Sequence, residues 1–303
     1  QAGIKTQGPH TKNKIIDIDI EKVKSYLKEG KVVVVAGFQG MNEKGDITTL
    51  GRGGSDTTAV ALAAKLRGGC HIYTDVDGIY SVDPRLYKEA KKLDDISYEE
   101  MMEMASLGAG IMEPRAVEIG CKYQIPIYVA SSQHDITGTT IRGVDHNMEE
   151  NVITGLSISD DVLMVTISNL EFKVENIAIV FEKLAEANIN VDMISQTAPI
   201  NGIVNLSFTA STDDYDVMKE VMQQLKKQYQ EIDIELEDDI TKVSVIGVGM
   251  LNQSGVTGKI FRILANHHIS FRQVTTSEIS ISYTINKKDK ATTVAVLAGE
   301  LGL

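Results

Sequence analysis

The sequence contains no tryptophan and few cysteines, prolines and aromatic residues. Its two cysteines, Cys70 and Cys121, form no C-x-x-C pair and are too few for the disulfide framework of a secreted protein. The longest apolar run, residues 32–38, is far shorter than the roughly 18 residues that a membrane helix needs, and no signal peptide opens the chain. We therefore expect no membrane span and a reducing, cytoplasmic location.

Positive charge is also scarce. The 30 lysines and arginines are outnumbered by 42 acidic residues, which gives a formal net charge of -12. Nucleic-acid binding needs clustered basic residues, so we do not expect a nucleic-acid partner. The six histidines show no metal-ligand spacing, so no metal site is expected, and the P-loop pattern G-x-x-x-x-G-K-[ST] is absent.

At 303 residues, the chain exceeds the size of one ordinary hydrophobic core, so two or three domains are expected. The polar, turn-rich stretch at residues 138–151 is the predicted linker. It separates a predicted α/β domain at residues 1–150 from a region at 151–303. The pattern of that second region predicts strands with alternating residue character and single amphipathic helices.

In the first region the pattern predicts strands at residues 31–40 and 70–78, with an alanine-rich helix between them that ends near residue 66. Strand, helix and strand in this order predict a βαβ unit, with ligands at the carboxyl ends of parallel strands. A further helix is predicted to start at Ser97 with a capping box, followed by a strand at 125–132.

The second region contains an internal repeat. Residues 180–197, VFEKLAEANINVDMISQT, align with residues 260–277, IFRILANHHISFRQVTTS, at a constant offset. Predicted strands flank the helix in each copy. The order of strands and helices predicts a ferredoxin-like βαββαβ module that is present twice.

A glycine-rich turn, Gly51-Arg52-Gly53-Gly54-Ser55-Asp56, precedes the alanine-rich helix. Glycine allows close approach of a ligand, and the helix N-terminus favours anions. An arginine can hold a carboxylate through two hydrogen bonds, while Ser55 is a candidate helix cap. The same residues also fit a tight strand-to-helix turn with a surface arginine.

The segment YTDVDGIYSVDPR, residues 73–85, is the second candidate site. Its polar side chains follow a predicted strand, where such groups can contact a ribose and a base. Its aspartates equally suit turn formation without any ligand.

Four motifs together resemble the aspartokinases: VVVVAGFQGMNEKGDITTLGRGGSDTTAVALAAKL, IYTDVDGIYSVDPR, LGAGIMEPRA and VTTSEISIS. The resemblance covers essentially the whole chain. It implies an α/β fold in which a partial amino-acid kinase domain, a three-layer αβα structure at residues 1–150, precedes two ferredoxin-like ACT modules. In that family the first module, about 162–236 here, is inserted in the second, about 151–161 plus 237–303.

The resemblance implies transfer of the ATP γ-phosphoryl group to the side-chain carboxylate of L-aspartate, with Mg²⁺ bridging the phosphates. This reaction gives 4-phospho-L-aspartate for lysine, threonine and methionine synthesis. The implied catalytic residues are Arg52 and Asp56, the substrate-binding residues are Arg52, Gly53, Gly54 and Ser55, and the nucleotide-binding residues are Thr74, Asp75, Tyr80 and Arg85.

Feedback regulation by lysine, threonine or both is also implied, as is a homodimer or tetramer formed through the ACT modules. Asp192 is expected to pair with an effector ammonium. Its repeat partner is Arg272, of opposite charge, so the two copies are predicted to bind amines differently. The implied effector-binding residues are Asn190, Val191, Asp192, Gln196, Gly255, Val256, Ile269, Ser270, Thr276 and Ser277.

The chain departs from the family pattern in three places. The K-F-G-G-[TS]-S-V segment is absent, Gly110 stands where some relatives have lysine, and Glu113 replaces a usual histidine. Arg115 is a candidate to replace some of the lost positive charge. Two alternatives stay open: a non-catalytic amino-acid-sensing chain, and a kinase of another amino acid such as glutamate.

Overall fold

The computed structural model describes residues 2–11, 13–143 and 152–303. The chain forms two compact units. The first comprises residues 1–157, 246–251 and 303, and the second comprises 158–245 and 252–302. Over the described residues, none of the helices has the length and apolarity needed to span a membrane.

The first unit contains two four-stranded sheets, with the strand orders β2-β1-β3-β4 and β5-β7-β8-β6. Strand β9 continues from this unit into the second. The elements are β1 (Ile4–Gln7), β2 (Lys14–Ile18), α1 (Glu21–Lys28), β3 (Gln39–Met41), β4 (Ile47–Thr49), α2 (Gly54–Leu66), β5 (Cys70–Thr74), β6 (Asp95–Ser97), α3 (Tyr98–Ser106), α4 (Pro114–Tyr123), β7 (Ile127–Ser131), β8 (Thr139–Arg142) and β9 (Gly155–Ser159).

The core of this unit lies where helices α2, α3 and α4 meet the sheet that contains β5 and β7. Val60, Met101 and Val117 of the three helices are fully buried with Ile127 and Val129 of β7. Strands β5 and β7 are parallel, and β7 and β8 are antiparallel. The predicted helix before residue 66 and the predicted strands near 70 and 127 are confirmed.

The predicted strand at residues 31–40 is wrong for most of its length. Residues 31–38 form no strand, and Val32 and Val34 are 92% and 93% exposed. Strand β3 covers only Gln39–Met41 and belongs to a different sheet from β5, so the predicted βαβ unit is also wrong. A β-branched run favours extended backbone, but it becomes a strand only where neighbouring strands pair with it.

The predicted linker at residues 138–151 is wrong in its first part. Residues Thr139–Arg142 form strand β8, which pairs with both β6 and β7. Thr139 is buried, and its hydroxyl donates to the Leu93 carbonyl at 2.6 Å and accepts from the Ile79 N–H at 2.8 Å. Threonine and isoleucine are favoured in half-buried strands, and this strand preference outweighs the loop preference of the polar residues around them. Residues 144–151 lie outside the described part.

The predicted capping box at the start of α3 is confirmed. The Glu100 backbone N–H donates to the Ser97 hydroxyl oxygen at 3.1 Å, and the Ser97 hydroxyl donates to Glu100 Oε2 at 2.7 Å. Glu100 is buried, and its other oxygen, Oε1, accepts from the Thr154 hydroxyl and from the Val248 N–H. One carboxylate therefore connects the helix start to two distant segments of the same unit.

The second unit holds the two copies of the repeat. The first copy has the strand order β11-β12-β10-β13, and the second has the matching order β15-β16-β14-β9. The elements are β10 (Leu163–Glu171), α5 (Val174–Glu186), β11 (Ile194–Gln196), β12 (Ile203–Ala210), α6 (Tyr215–Gln228), β13 (Asp233–Glu237), β14 (Ile240–Ile246), α7 (Val256–Asn266), β15 (Phe271–Thr276), β16 (Ser280–Asn286) and α8 (Lys290–Leu301).

Each copy buries one face of its helices on its sheet. In α5, Val180 and Leu184 are buried against Val165 and Phe208. Ala185, next to Leu184 in the last turn of the helix, is exposed. The strand β9 precedes the first copy in the chain, yet it lies beside β14 in the sheet of the second.

Candidate active and effector sites

The glycine-rich turn leads directly into helix α2. Gly51 and Gly53 have φ angles of 85° and 62°, in the left-handed region that glycine adopts at low cost. Helix α2 begins at Gly54, with Gly53 at its N-cap and no side-chain cap. The predicted cap by Ser55 is therefore wrong, because Ser55 already lies in the first helical turn. The Gly54 N–H instead donates to the Gly51 carbonyl at 3.1 Å.

Glu113 lies against this turn. A Cβ placed on Gly53 would come within 2.5 Å of the Glu113 Cβ and 2.7 Å of its Oε2, so only glycine fits there. Arg115, two residues further on, donates to the backbone oxygens of Leu50 at 3.1 Å and Asn13 at 2.9 Å. Arg115 therefore fixes the entry to the turn. The sequence marked Glu113 only as a departure from the family pattern.

The turn carries one exposed cation and one part-buried anion. Arg52 is exposed, whereas burial raises the pKa of Asp56 and a hydrogen bond with Ser55 partly opposes that rise. Burial, with the nearby Asp56 charge, also raises the pKa of the Cys70 thiol to about 11. Opposite charges at the two ends of a short turn suit a zwitterionic ligand, since each end of such a ligand meets its counter-charge.

The second candidate segment begins at the end of β5. The Tyr80 hydroxyl donates to the Asp77 carboxylate at 3.1 Å, and Lys92 Nζ lies 3.9 Å from the same carboxylate. Burial and the Asp77 carboxylate raise the pKa of Tyr80. Gly78 is held tightly, because a Cβ there would meet the Thr139 hydroxyl at 2.8 Å. This part of the segment is therefore fixed against β8.

The remaining predicted nucleotide contacts are at the surface. Arg85 pairs with Asp83 at 2.7 Å, and its side chain is 88% exposed. The hydrogen bond with Asp83 raises the pKa of Arg85. The Thr74 hydroxyl donates to Asp75 at 3.0 Å. In the parts of the chain that the structure describes, no three His, Cys, Asp or Glu residues group to hold a metal ion.

In the first repeat copy, the predicted effector residues lie around β11. Asn190, Asp192 and Gln196 are exposed, and Val191 is partly buried. The Asp192 carboxylate pairs through Oδ2 with Lys242 of β14, whose side chain is only 7% exposed. No local pattern in the sequence indicates Lys242, because it lies 50 residues from Asp192 along the chain.

In the second copy, Gly255 caps α7 with a φ of 93°, and Val256 is buried at the helix start. The hydroxyl oxygens of Ser277 and Ser280 are 2.8 Å apart, and Thr276 is exposed at the end of β15. Ile269 and Ser270 line a cavity of about 570 Å³ together with Phe261, Arg262 and Phe271. Arg272, the repeat partner of Asp192, pairs with Glu237 at 3.3 Å.

Known proteins are similar to this chain in both sequence and fold. A model of the amino acid kinase family matches residues 1–131, and an ACT domain model matches residues 243–301. Aspartokinase 2 of Bacillus subtilis is 44% identical over 299 residues, which cover 98% of this chain and 73% of that protein. The chain belongs to the aspartokinase family. An aspartokinase of Corynebacterium glutamicum is 40% identical over 295 residues, covering 95% of this chain and 70% of the relative.

Solved aspartokinases have the same architecture. E. coli aspartokinase III in complex with aspartate and ADP superimposes with a TM-score of 0.80 at 26% identity, over 100% of this chain and 68% of that one. The same enzyme in complex with lysine and aspartate gives a TM-score of 0.75 at 26% identity, over 99% and 68%. The family resemblance and the fold class predicted from the motifs are thus confirmed, and the chain is a nucleotide-using kinase with an ACT regulatory region.

Proposed function

We propose that this aspartokinase transfers the γ-phosphoryl group of ATP to the side-chain carboxylate of L-aspartate. The observation that carries the proposal is the turn at Gly51–Asp56, where exposed Arg52 and part-buried Asp56 flank the first turn of α2. The E. coli relative, which binds aspartate and ADP, supports the same pair of substrates. The product is 4-phospho-L-aspartate, the entry to lysine, threonine and methionine synthesis.

The turn supplies the groups that aspartate needs. Arg52 holds a substrate carboxylate through its planar fork, and Gly53 and Ser55 offer backbone N–H groups at the helix start. The Gly54 N–H already donates to the Gly51 carbonyl at 3.1 Å, so Gly54 contributes by allowing close approach of the substrate. Asp56 orients the substrate ammonium. Glu113 packs on Gly53, so that no residue with a Cβ fits at this left-handed position of the turn.

The segment from Thr74 to Arg85 binds the nucleotide. Thr74, Asp75, Tyr80 and Arg85 are the proposed contacts, and Tyr80 is held in place by its bond with Asp77. Magnesium usually takes one or two carboxylates and several phosphate oxygens, so the aspartates of this segment fit it without forming a dedicated protein cage. When bound, Mg²⁺ neutralises phosphate charge.

The chemical step needs no covalent enzyme intermediate. The aspartate side chain is a carboxylate at neutral pH, so its oxygen attacks the γ-phosphorus without a general base, and ADP leaves with the electrons of the broken P–O bond. Catalysis therefore depends on positioning and on neutralising the charge that gathers on the transferred group. Arg52 and the helix N-terminus hold the attacking carboxylate in line.

We further propose the regulatory organisation. The kinase domain covers about residues 1–150, and an ACT module at about 162–236 is inserted in a second at about 151–161 plus 237–303. Lysine or threonine binds near Asn190–Asp192 and Gln196 in the first copy and near Gly255–Val256, Ile269–Ser270 and Thr276–Ser277 in the second. The ACT sheets form a homodimer or tetramer, and the free thiols of Cys70 and Cys121 favour the cytoplasm.

A substrate panel tests the proposed reaction. The chain is incubated with ATP and aspartate or glutamate, and acyl phosphate is trapped with hydroxylamine. Aspartate is expected to give the larger kcat/KM. Arg52→Ala should lower kcat/KM for aspartate by about 10²-fold, because it removes a bidentate charged contact, while the KM for ATP stays near the wild-type value.

Arg67→Ala, at the other end of α2, is the matched control and should leave both constants unchanged. A larger kcat/KM for glutamate than for aspartate would contradict the proposed substrate. Effector binding without any acyl phosphate from either acid would favour the sensing function instead. Unchanged aspartate kinetics in Arg52→Ala would contradict the role of the turn.

A further inference from the structure

Helix α4 has an acidic residue, Glu113, at its N-cap. The backbone of Glu113 is extended, and its side chain makes no cap hydrogen bond. Pro114, at the first helical position, has no N–H to satisfy. The Ala116 and Val117 N–H groups both donate to the Glu113 carbonyl oxygen, at 2.9 Å and 3.3 Å. The helix start therefore does not use the Glu113 carboxylate.

The Glu113 side chain lies over the glycine-rich turn instead. A Cβ placed on Gly53 would meet the Glu113 Cβ at 2.5 Å, Cγ at 2.7 Å and Oε2 at 2.7 Å, so both the stem and the carboxylate lie beside Gly53. Glu113 is half-buried, and within the described ranges its carboxylate has no hydrogen-bond or ion-pair partner. Such a group loses hydration without gaining a partner in return.

The nearby arginines leave this charge unpaired. Arg115 lies two residues further on, but its guanidinium donates to two backbone oxygens that fix the entry to the turn. Arg52, which precedes Gly53, is exposed and has no ion-pair partner among the residues that the structure describes. Glu113 and Arg52 are thus an unpaired anion and an unpaired cation that both adjoin Gly53.

The proposed substrate carries the complementary charges. At neutral pH, free aspartate has two carboxylates and one ammonium. The arginine and the backbone N–H groups of the turn attract the carboxylates, whereas the ammonium needs an anionic partner. Asp56 alone is a weak partner, because burial raises its pKa and it already shares a hydrogen bond with Ser55.

We propose that Glu113 is a specificity-determining residue of the substrate site and accepts a hydrogen bond from the ammonium of aspartate, beside Asp56. The ammonium lies over Gly53 and gives the Glu113 carboxylate the partner that the fold does not supply. A diacid without an amine leaves Glu113 unpaired and is repelled by it, so this residue selects amino diacids over plain diacids. This inference rests on the proposed function.

Calorimetry with L-aspartate and succinate tests the assignment, since succinate is aspartate without its ammonium. Each diacid is titrated into the full chain in the presence of Mg²⁺ and a non-hydrolysable ATP analogue. The wild-type chain should bind aspartate at least about tenfold more tightly than succinate, because succinate lacks the charged contact.

Glu113→Gln keeps the shape of the side chain and removes its charge. This variant should bind aspartate about tenfold more weakly than the wild type does, but succinate no more weakly, because only the ammonium loses a charged contact. Glu118→Gln, at an exposed position of the same helix, is the matched control and should keep both wild-type affinities.

A thermal melt separates recognition from packing. Glu113→Gln should melt no lower than the wild type, because the carboxylate has no partner in the free chain. Unchanged aspartate affinity in this variant would overturn the inference but leave the proposed reaction in place. An equal loss for both diacids, with a lower Tm, would likewise make Glu113 purely structural. Wild-type binding of neither diacid, with no acyl phosphate formed from aspartate, would contradict the proposed function itself.

Discussion

At the residue scale, the ion pair between Asp192 and Lys242 sets the position of a proposed effector contact. Asp192 is half exposed, and its Oδ2 pairs with the ammonium of the buried Lys242. We propose that the other carboxylate oxygen, Oδ1, accepts from an effector ammonium while Lys242 holds the carboxylate in place. Without Lys242, the Asp192 side chain would be free to rotate, and fixing it on ligand binding would cost more conformational entropy.

Asp192→Ala is expected to weaken feedback inhibition by lysine or threonine about tenfold while the uninhibited rate stays near the wild-type value. It should also lower the free energy of unfolding by about 1–3 kcal/mol, because Lys242 is left buried without its partner. Inhibition curves and urea unfolding measure the two effects.

The control is the double variant Asp192→Ala/Lys242→Met, which removes both charges and should recover part of the lost stability. Lys242→Met alone keeps the carboxylate and reports on its positioning. Full sensitivity to the inhibitor in Asp192→Ala would count against this effector contact.

At the same scale, the sequence alone marks Arg52 and Asp56 as candidates, because both lie in a short local motif. It could not identify the contacts of Glu113 with Gly53, of Lys242 with Asp192, or of Gln273 with Ser195. Each joins residues that are more than one element apart, so no local spacing reports it.

At the scale of elements, helix α3 shows how one cap can serve several segments. The Glu100 carboxylate accepts hydrogen bonds from the Ser97 backbone, the Ser97 hydroxyl, the Thr154 hydroxyl and the Val248 backbone. A carboxylate only accepts, and this site presents donors on both of its oxygens. A glutamine would have to point an N–H₂ group at one pair of those donors.

Ser97→Ala is expected to lower the free energy of unfolding by about 1 kcal/mol, the usual loss for an N-cap. Glu100→Gln should cost more, about 2–3 kcal/mol, because it also loses charged hydrogen bonds to Thr154 and Val248. Chemical denaturation of both variants measures the difference. Equal losses would mean that the bonds to the two distant segments contribute nothing to stability.

The elements also mark where periodicity is sufficient and where it fails. Helix α2 followed from its alanine-rich composition, α3 from its capping box and α5 from the apolar spacing of the repeat, all of which are local properties. The run at residues 31–38 has strong strand propensity, but strand formation depends on a pairing partner, which no local pattern specifies. Strand β8 was missed for the opposite reason. Its four residues lie in a polar stretch that indicates a loop, but two neighbouring strands, β6 and β7, pair with them.

At the scale of the whole molecule, the repeat was the most informative feature of the sequence. The helix pattern found twice predicts two copies of one module, and the structure has two sheets with matching strand orders, β11-β12-β10-β13 and β15-β16-β14-β9. The place of β9 beside β14 could not be read from periodicity, since it precedes the first copy in the chain. Family resemblance supplied that order, and also the reaction, which no composition or spacing specifies.

The central claim is that the turn at Gly51–Asp56 binds aspartate while the segment from Thr74 to Arg85 binds the nucleotide. A crystal structure of the chain with L-aspartate and a non-hydrolysable ATP analogue measures this most directly. We expect one aspartate carboxylate within hydrogen-bond distance of the Arg52 guanidinium and the triphosphate beside Tyr80 and Arg85. Density for aspartate at another place, with Arg52 touching no ligand, would contradict the account.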